Sequence, residues 1–366
     1  MRQIYLHIGH LKTGSSALQV AFARSKDALR EHGYIYPDHR STELALSGKF
    51  TAGNVLPHRL IENLETALDE ARPDEKVLFS SEGLFDDLDA EDCQIANLVG
   101  RGAEISVLLF LRHPIEFAIS TYQQTVQGAG YEGTLEEFLP VFDKFHQVER
   151  VLTRLEALGI GVTIKSFDRT KMVLIDEVEL WLGLPKNTLQ RLGDAPVNRS
   201  LSRAEQAFLR RLSGHLGVSG SDHIGASLVN GLPVMPREKA VLSRESYDEF
   251  VARITPVVAR LNARLPASLQ YEITAFDALC EEHPKEEVYS FTGEQLDIIT
   301  KALATRTPGP ELVRKFVMWL KSNPEETQLQ AEQIYMLNRI GHALRPGQFP
   351  EKRMKRLLNK AKRPKV

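Results

Sequence analysis

Residues Gly9-His10-Leu11-Lys12-Thr13-Gly14-Ser15-Ser16 gather two glycines, one lysine and three hydroxyls near the start of the chain. Such a set suits an anion. Glycine lets the backbone approach an oxyanion closely, lysine adds a point charge, and the hydroxyls add donors. A helix opening at about Ser15 would contribute unpaired backbone N–H groups and the positive end of its dipole. The residues alone also fit a Gly/Ser turn with an ordinary N-cap serine. A nucleotide-triphosphatase loop carries its lysine after the second glycine; here Lys12 precedes Gly14, which disfavours a kinase.

A second cationic position follows at Leu111-Arg112-His113-Pro114, with Ser120 further along the same segment. Arginine offers a planar fork of donors and proline suits the first position of a helix. Arg112 at a strand end and Ser120 on the next helix could hold one phosphate together, or be a surface arginine and a helix-facing serine. Glu82, after the apolar run 77–80, is the candidate general base, a carboxyl that partial burial could raise. It could equally be a capping or ion-pairing acid. His58 and His39, in loops, are alternative bases, although a lone loop histidine is more often simply solvated. His10 would shape the pocket without moving a proton. Asn198, Arg199 and Ser200 could close over a nucleotide or form a turn and helix cap.

These residues need elements to position them. Apolar runs at 4–8, 77–80, 105–111 and 162–167 read as buried parallel strands, with 34–36 as a short fifth. Helical stretches at 15–31, 60–71, 115–125 and 135–158 alternate with them. The pattern implies an α/β fold, a parallel central sheet flanked by helices, with ligands at the carboxyl ends of the strands. Beyond residue 200 the chain reads as helical, with helices at 202–216 and 243–265 separated by a glycine-rich loop at 217–231. Helices at 293–305, 310–322 and 324–344 follow. The expected division is an α/β domain over 1–270 and a helical C-terminal extension with a basic tail over 271–366.

The chain has 366 residues, 42% of them hydrophobic and 26% charged, which promises a real core. A net charge of −2 argues against a nucleic-acid-coating protein. From Arg339 onward ten basic residues face one acid. Met354, Leu357, Leu358 and Ala361 mark an amphipathic helix there, which packs on preceding helices or touches an anionic membrane surface. Cys93 and Cys280 lack a metal-type spacing and read as buried thiols. With no visible leader or membrane-spanning run, a cytoplasmic location is expected.

The two phosphate-type motifs resemble those of the 3′-phosphoadenylyl sulfate (PAPS)-dependent sulfotransferases, especially the bacterial and carbohydrate-type branch. Lys12-Thr13-Gly14-Ser15-Ser16 resembles the family's 5′-phosphosulfate loop, and Leu111-Arg112-His113-Pro114 through Ser120 its 3′-phosphate motif. Phe79-Ser80-Ser81-Glu82, Phe142-Asp143-Lys144-Phe145 and Val197-Asn198-Arg199-Ser200-Leu201-Ser202 are weaker matches. The resemblance covers about residues 1–270. It departs at His113, where Asp is frequent, and at Leu11, where Pro or His is frequent; neither change removes a phosphate donor.

The resemblance implies a P-loop-like fold and in-line sulfuryl transfer from PAPS to an acceptor hydroxyl of a glycan, glycolipid or small molecule. It implies no covalent enzyme intermediate, no required metal, and 3′-phosphoadenosine 5′-phosphate (PAP) as product. Lys12 and Glu82 would be catalytic. Gly9, Lys12, Thr13, Gly14, Ser15, Ser16, Arg112, Ser120, Asn198 and Ser200 would bind the donor. A non-catalytic nucleotide-binding module and a P-loop kinase are the alternatives.

Overall fold

The structure, a computed structural model, describes residues 3–10, 12–39, 42–43, 46, 53–191, 199–236, 238–282 and 291–305. The basic tail, the expected helices at 310–322 and 324–344, and Asn198 lie outside the described residues. The chain forms two compact units, each assembled from separated segments. The first comprises Met1–Ala118, Phe142–Ala195 and Phe250–Ile273; the second comprises Ile119–Val141, Pro196–Glu249 and Thr274–Val366.

The first unit holds a five-stranded, wholly parallel sheet in the order β2-β3-β1-β4-β5. Its strands are β1 (Gln3–Ile8), β2 (Tyr34–Ile35), β3 (Lys76–Ser81), β4 (Glu104–Leu111) and β5 (Gly161–Ser166). In β4 the consecutive side chains of Val107, Leu108, Leu109 and Phe110 are all buried, so both faces of the sheet are covered, as uninterrupted apolar runs require. One face packs on Leu18, Phe22 and Leu29 and on Val178 and Leu182. β1 sits centrally between β3 and β4, with Ile8 opposite Ser81 and Leu109. Its carboxyl end therefore delivers the loop from Gly9 beside the ends of both neighbours.

Two expected helices are interrupted. The stretch at 15–31 becomes Ser15–Arg24 and Lys26–Glu31. At Ser25, between them, the hydroxyl accepts the Gln190 N–H at 2.7 Å. The stretch at 135–158 becomes Leu135–Phe138, a 3-10 turn Leu139–Val141, and Lys144–Ala157. Pro140 cannot supply the N–H a continuous helix needs, and Thr134 with Glu137 forms a capping box for the first piece.

The second unit corrects the expected glycine-rich loop. One 29-residue helix, Arg203–Gly231, runs through it. The glycines serve close packing: a Cβ on Gly225 would lie 2.7 Å from Gln127 Cγ and 3.1 Å from Leu209 Cδ1. Since a straight helix would hold Leu209 and Gly225 ~24 Å apart, the helical stretch turns back on itself between them. Ser202 caps this helix reciprocally with Glu205. Buried Glu205 accepts both guanidinium arms of Arg199, each at 2.7 Å, and the Gln295 amide at 2.9 Å. Burial alone would raise the Glu205 carboxyl, but Arg199, the Ser202 N–H and Gln295 together hold it below its usual range. A two-stranded parallel pair, β6 (Ala240–Val241) with β7 (Cys280–Glu281), completes the described strands. Cys93 and Cys280 are both buried. Among the described residues no helix is long and apolar enough to cross a membrane.

Candidate functional site

The loop leaving β1 turns back through two left-handed residues, Lys12 at φ 63° and Gly14 at φ 78°. Lysine adopts that conformation at a cost of ~1 kcal/mol, so the turn holds the ammonium where a relaxed backbone would not. At Gly14 a side chain would meet Leu174 Cδ2 at 2.7 Å. The Thr13 hydroxyl donates to the His10 carbonyl at 2.5 Å, closing the turn. The Ser15–Arg24 helix then starts without any side-chain cap. Its N-terminus keeps unsatisfied donors and a positive dipole end. Ser15 Oγ is buried with the Glu82 carboxyl as its polar neighbour; both amide atoms of Gln19, one turn along, are buried without a hydrogen-bond partner.

Glu82, just past β3, reaches the same place. A Cβ on Gly9 would lie 2.6 Å from Ser15 Oγ and 2.8 Å from Glu82 Cγ, so glycine makes room for both. Burial raises the Glu82 carboxyl, against the opposing pull of the Ser15 hydroxyl and the Lys12 charge; Asp86 adds to the rise. Burial lowers the Lys12 ammonium, with Glu82 opposing and Arg112 assisting. A carboxyl moved up and an ammonium moved down, each largely by burial and each feeling the other's charge, are what proton abstraction beside charge stabilisation needs.

Arg112 follows β4 and donates from Nη1 to the Lys12 carbonyl at 3.3 Å. It lies 3.8 Å from the Asp168 carboxylate, 3.9 Å from Glu116, and over the Phe167 ring. Burial raises the Asp168 carboxyl, and the adjoining Glu116 carboxyl raises it further. Asp168 accepts the His113 N–H at 2.6 Å, and the His113 ring bonds the Glu272 carbonyl at 2.7 Å. His113 thus braces the turn after β4.

His10 is sealed between Phe117, at 4.0 Å, and Phe85, at 5.1 Å, with neither ring nitrogen hydrogen-bonded. Burial and the nearby charges of Lys144 and Arg112 lower its pKa to about 3. His7, beneath the loop in β1, bonds Ser80 Oγ at 2.8 Å and is lowered by burial to about 4.

The structure therefore brings Gly9, Lys12, Thr13, Gly14, Ser15 and Ser16 into one turn, with Glu82 and Arg112 against it. Ser120 lies on the Pro114–Gly128 helix, half-buried, in the portion assigned to the second unit. Ser200 is exposed, and its carbonyl accepts from Arg199 Nη1 at 2.9 Å. The Arg199 side chain is committed to Glu205. His58 is exposed in the Pro57–Arg59 turn. The His39 N–H donates to Thr42 Oγ1 at 3.2 Å.

Sequence reasoning missed Gln19, Glu116, Asp168 and Asn54. Asn54 caps the free half of the β3 edge, accepting the Ser80 N–H at 2.8 Å and donating to the Leu78 carbonyl at 3.1 Å. Asp168 had a visible signal, since it sits just past the end of a parallel strand.

No protein-family model matches the chain. No curated protein matches it. Among solved structures, a sulfotransferase from Alicyclobacillus acidocaldarius aligns with 60% of this chain and 93% of its own, at 14% identity and a TM-score of 0.33. At that distance the functional reading rests on the chain's own residues.

Proposed function

We propose that this protein is a sulfotransferase that moves a sulfuryl group from PAPS to a hydroxyl of an acceptor, a sugar hydroxyl being the preferred reading. One observation carries it: an uncapped helix N-terminus with a buried Ser15 hydroxyl, flanked by Lys12 and Glu82 and tied through the Lys12 carbonyl to Arg112. The first group of donors suits a 5′-phosphosulfate. Arg112, at the adjoining strand end, suits a 3′-phosphate.

PAPS supplies the activated sulfuryl group; the chain's residues do the rest. Glu82 takes the proton from the acceptor hydroxyl as the new O–S bond forms. Lys12 stabilises the charge that develops on the oxygen left behind on the 5′-phosphate, which departs as PAP. Fixed donors aimed at developing charge are commonly the largest catalytic contribution. Thr13, Gly14, Ser15 and Ser16 hold the phosphate in line.

Calorimetric titration with PAP, 5′-AMP and Mg·ATP tests the reading. PAP is expected to bind at least about ten-fold more tightly than 5′-AMP, a difference of ~1.4 kcal/mol for the 3′-phosphate. Lys12→Ala and Arg112→Ala should each weaken it. Absence of PAP binding, or preference for Mg·ATP, would overturn the assignment.

A further inference from the structure

Within the second unit the Pro114–Gly128 and Arg203–Gly231 helices and β6 line a cleft of about 110 Å³, partly open to solvent. That is smaller than the ~300 Å³ at which drug-sized sites begin, so it suits one ring of a longer ligand. Leu135 and Val241 give it an apolar wall, while Gln123, Gln206, Arg203 and Arg210 supply polar groups.

The two arginines differ. Arg203 is paired with Glu281 and with Glu238. Arg210 donates from Nε to the Glu132 carbonyl at 2.9 Å, interacts with the Tyr122 hydroxyl in the cleft wall, and has no carboxylate within ion-pair distance among the described residues. Glu137, which it attracts, is held in the capping box by the Thr134 N–H at 2.6 Å and Oγ1 at 3.1 Å. The Gln123 amide has no hydrogen-bond partner among the described residues. Gln206 spends its Nε2 on the Leu201 carbonyl at 3.0 Å, leaving Oε1 as an acceptor.

A guanidinium fork with no carboxylate at ion-pair distance matches a carboxylate, amide groups match paired hydroxyls, and the apolar wall matches a ring face. A bare inorganic anion would leave the amides and the wall unused. A neutral sugar would leave Arg210 with no carboxylate at ion-pair distance. We infer that this cleft binds a carboxylate-bearing sugar, a uronic acid unit of the acceptor glycan; the word acceptor rests on the sulfotransferase reading, whereas the binding does not.

The test titrates the full chain with a defined tetrasaccharide of alternating glucuronate and N-acetylglucosamine, and with its carboxyl-reduced counterpart, in parallel with PAP and inorganic sulfate. The uronate form should bind at least about ten-fold more tightly than the reduced form. Arg210→Gln should erase that difference, and Gln123→Ala should weaken both saccharides, while PAP affinity stays unchanged in each variant. Should Arg210→Gln unfold, Arg210→Lys takes its place and should narrow the difference. Equal binding of the two saccharides, discrimination that survives Arg210→Gln, failure of both to bind, or full competition by inorganic sulfate would each overturn the inference. Uronate binding without PAP binding would uphold it and sink the sulfotransferase reading instead.

Discussion

Burial moves the Lys12 ammonium and the Glu82 carboxyl toward each other along the pH scale. In the proposed mechanism turnover needs Glu82 deprotonated and Lys12 protonated. The rising limb of kcat/KM should therefore lie above the ordinary carboxylate range of ~4.3, and the falling limb below the ordinary lysine range of ~10.4. Glu82→Gln should remove the rising limb and lower turnover ~10²–10⁴-fold, read from pH–rate profiles. Turnover within two-fold of wild type would place the base elsewhere. Lys12→Ala should lower kcat ~10²–10³-fold, the loss typical of one preorganised donor to developing charge. That Lys12, Glu82 and Arg112 come together was legible as a candidate, because glycine, lysine and arginine at the ends of parallel strands fall at one sheet edge. Gln19, Glu116 and Asp168 were hidden because their significance lies in neighbours from distant segments.

Elements show the same division between local and non-local information. The strands were legible because an unbroken apolar run has few alternatives in an alternating α/β chain. The Arg203–Gly231 helix was not, since Gly225, which reads as loop, is a contact point for Gln127 of another helix and for Leu209 from an earlier part of the same helical stretch. The break at Ser25 likewise depends on Gln190. The N-terminus of the long helix is anchored on Glu205, whose side chain is fully buried, and Arg199, whose side chain is 5% exposed. Removing one partner of such a pair leaves the other charge buried. Glu205→Ala should lower unfolding free energy by ~3–5 kcal/mol, seen as a drop in urea midpoint. A loss below ~1 kcal/mol, the range of an exposed pair, would show that the cluster is solvated.

At the scale of the molecule, His7 and His10 set a pH limit on stability. Both are wholly buried, with folded pKa values lowered from 6.5 to about 4 and about 3. Below pH 6.5 the unfolded chain takes up protons that the folded one does not. Stability is thus fully present above pH 6.5 and declines as pH falls toward the folded values, by ~1.4 kcal/mol per pH unit for each histidine. Urea midpoints from pH 6.5 to 5 should show this slope, and His10→Met should reduce it; an unchanged slope would mean that His10 is accessible to protons when folded. The α/β class and strand composition were readable from the chain alone. Its interleaving into two units of separated segments was not, because that depends on which distant segments pack together.

The positive φ of Lys12 has an evolutionary reading. A glycine there would relax the turn, since left-handed backbone costs glycine nothing. Lys12→Gly should then raise the melting temperature while abolishing sulfuryl transfer. Selection for durability and selection for turnover pull in opposite directions at this position, so a lysine kept in an unfavourable conformation would be the signature of a chain still selected as an enzyme.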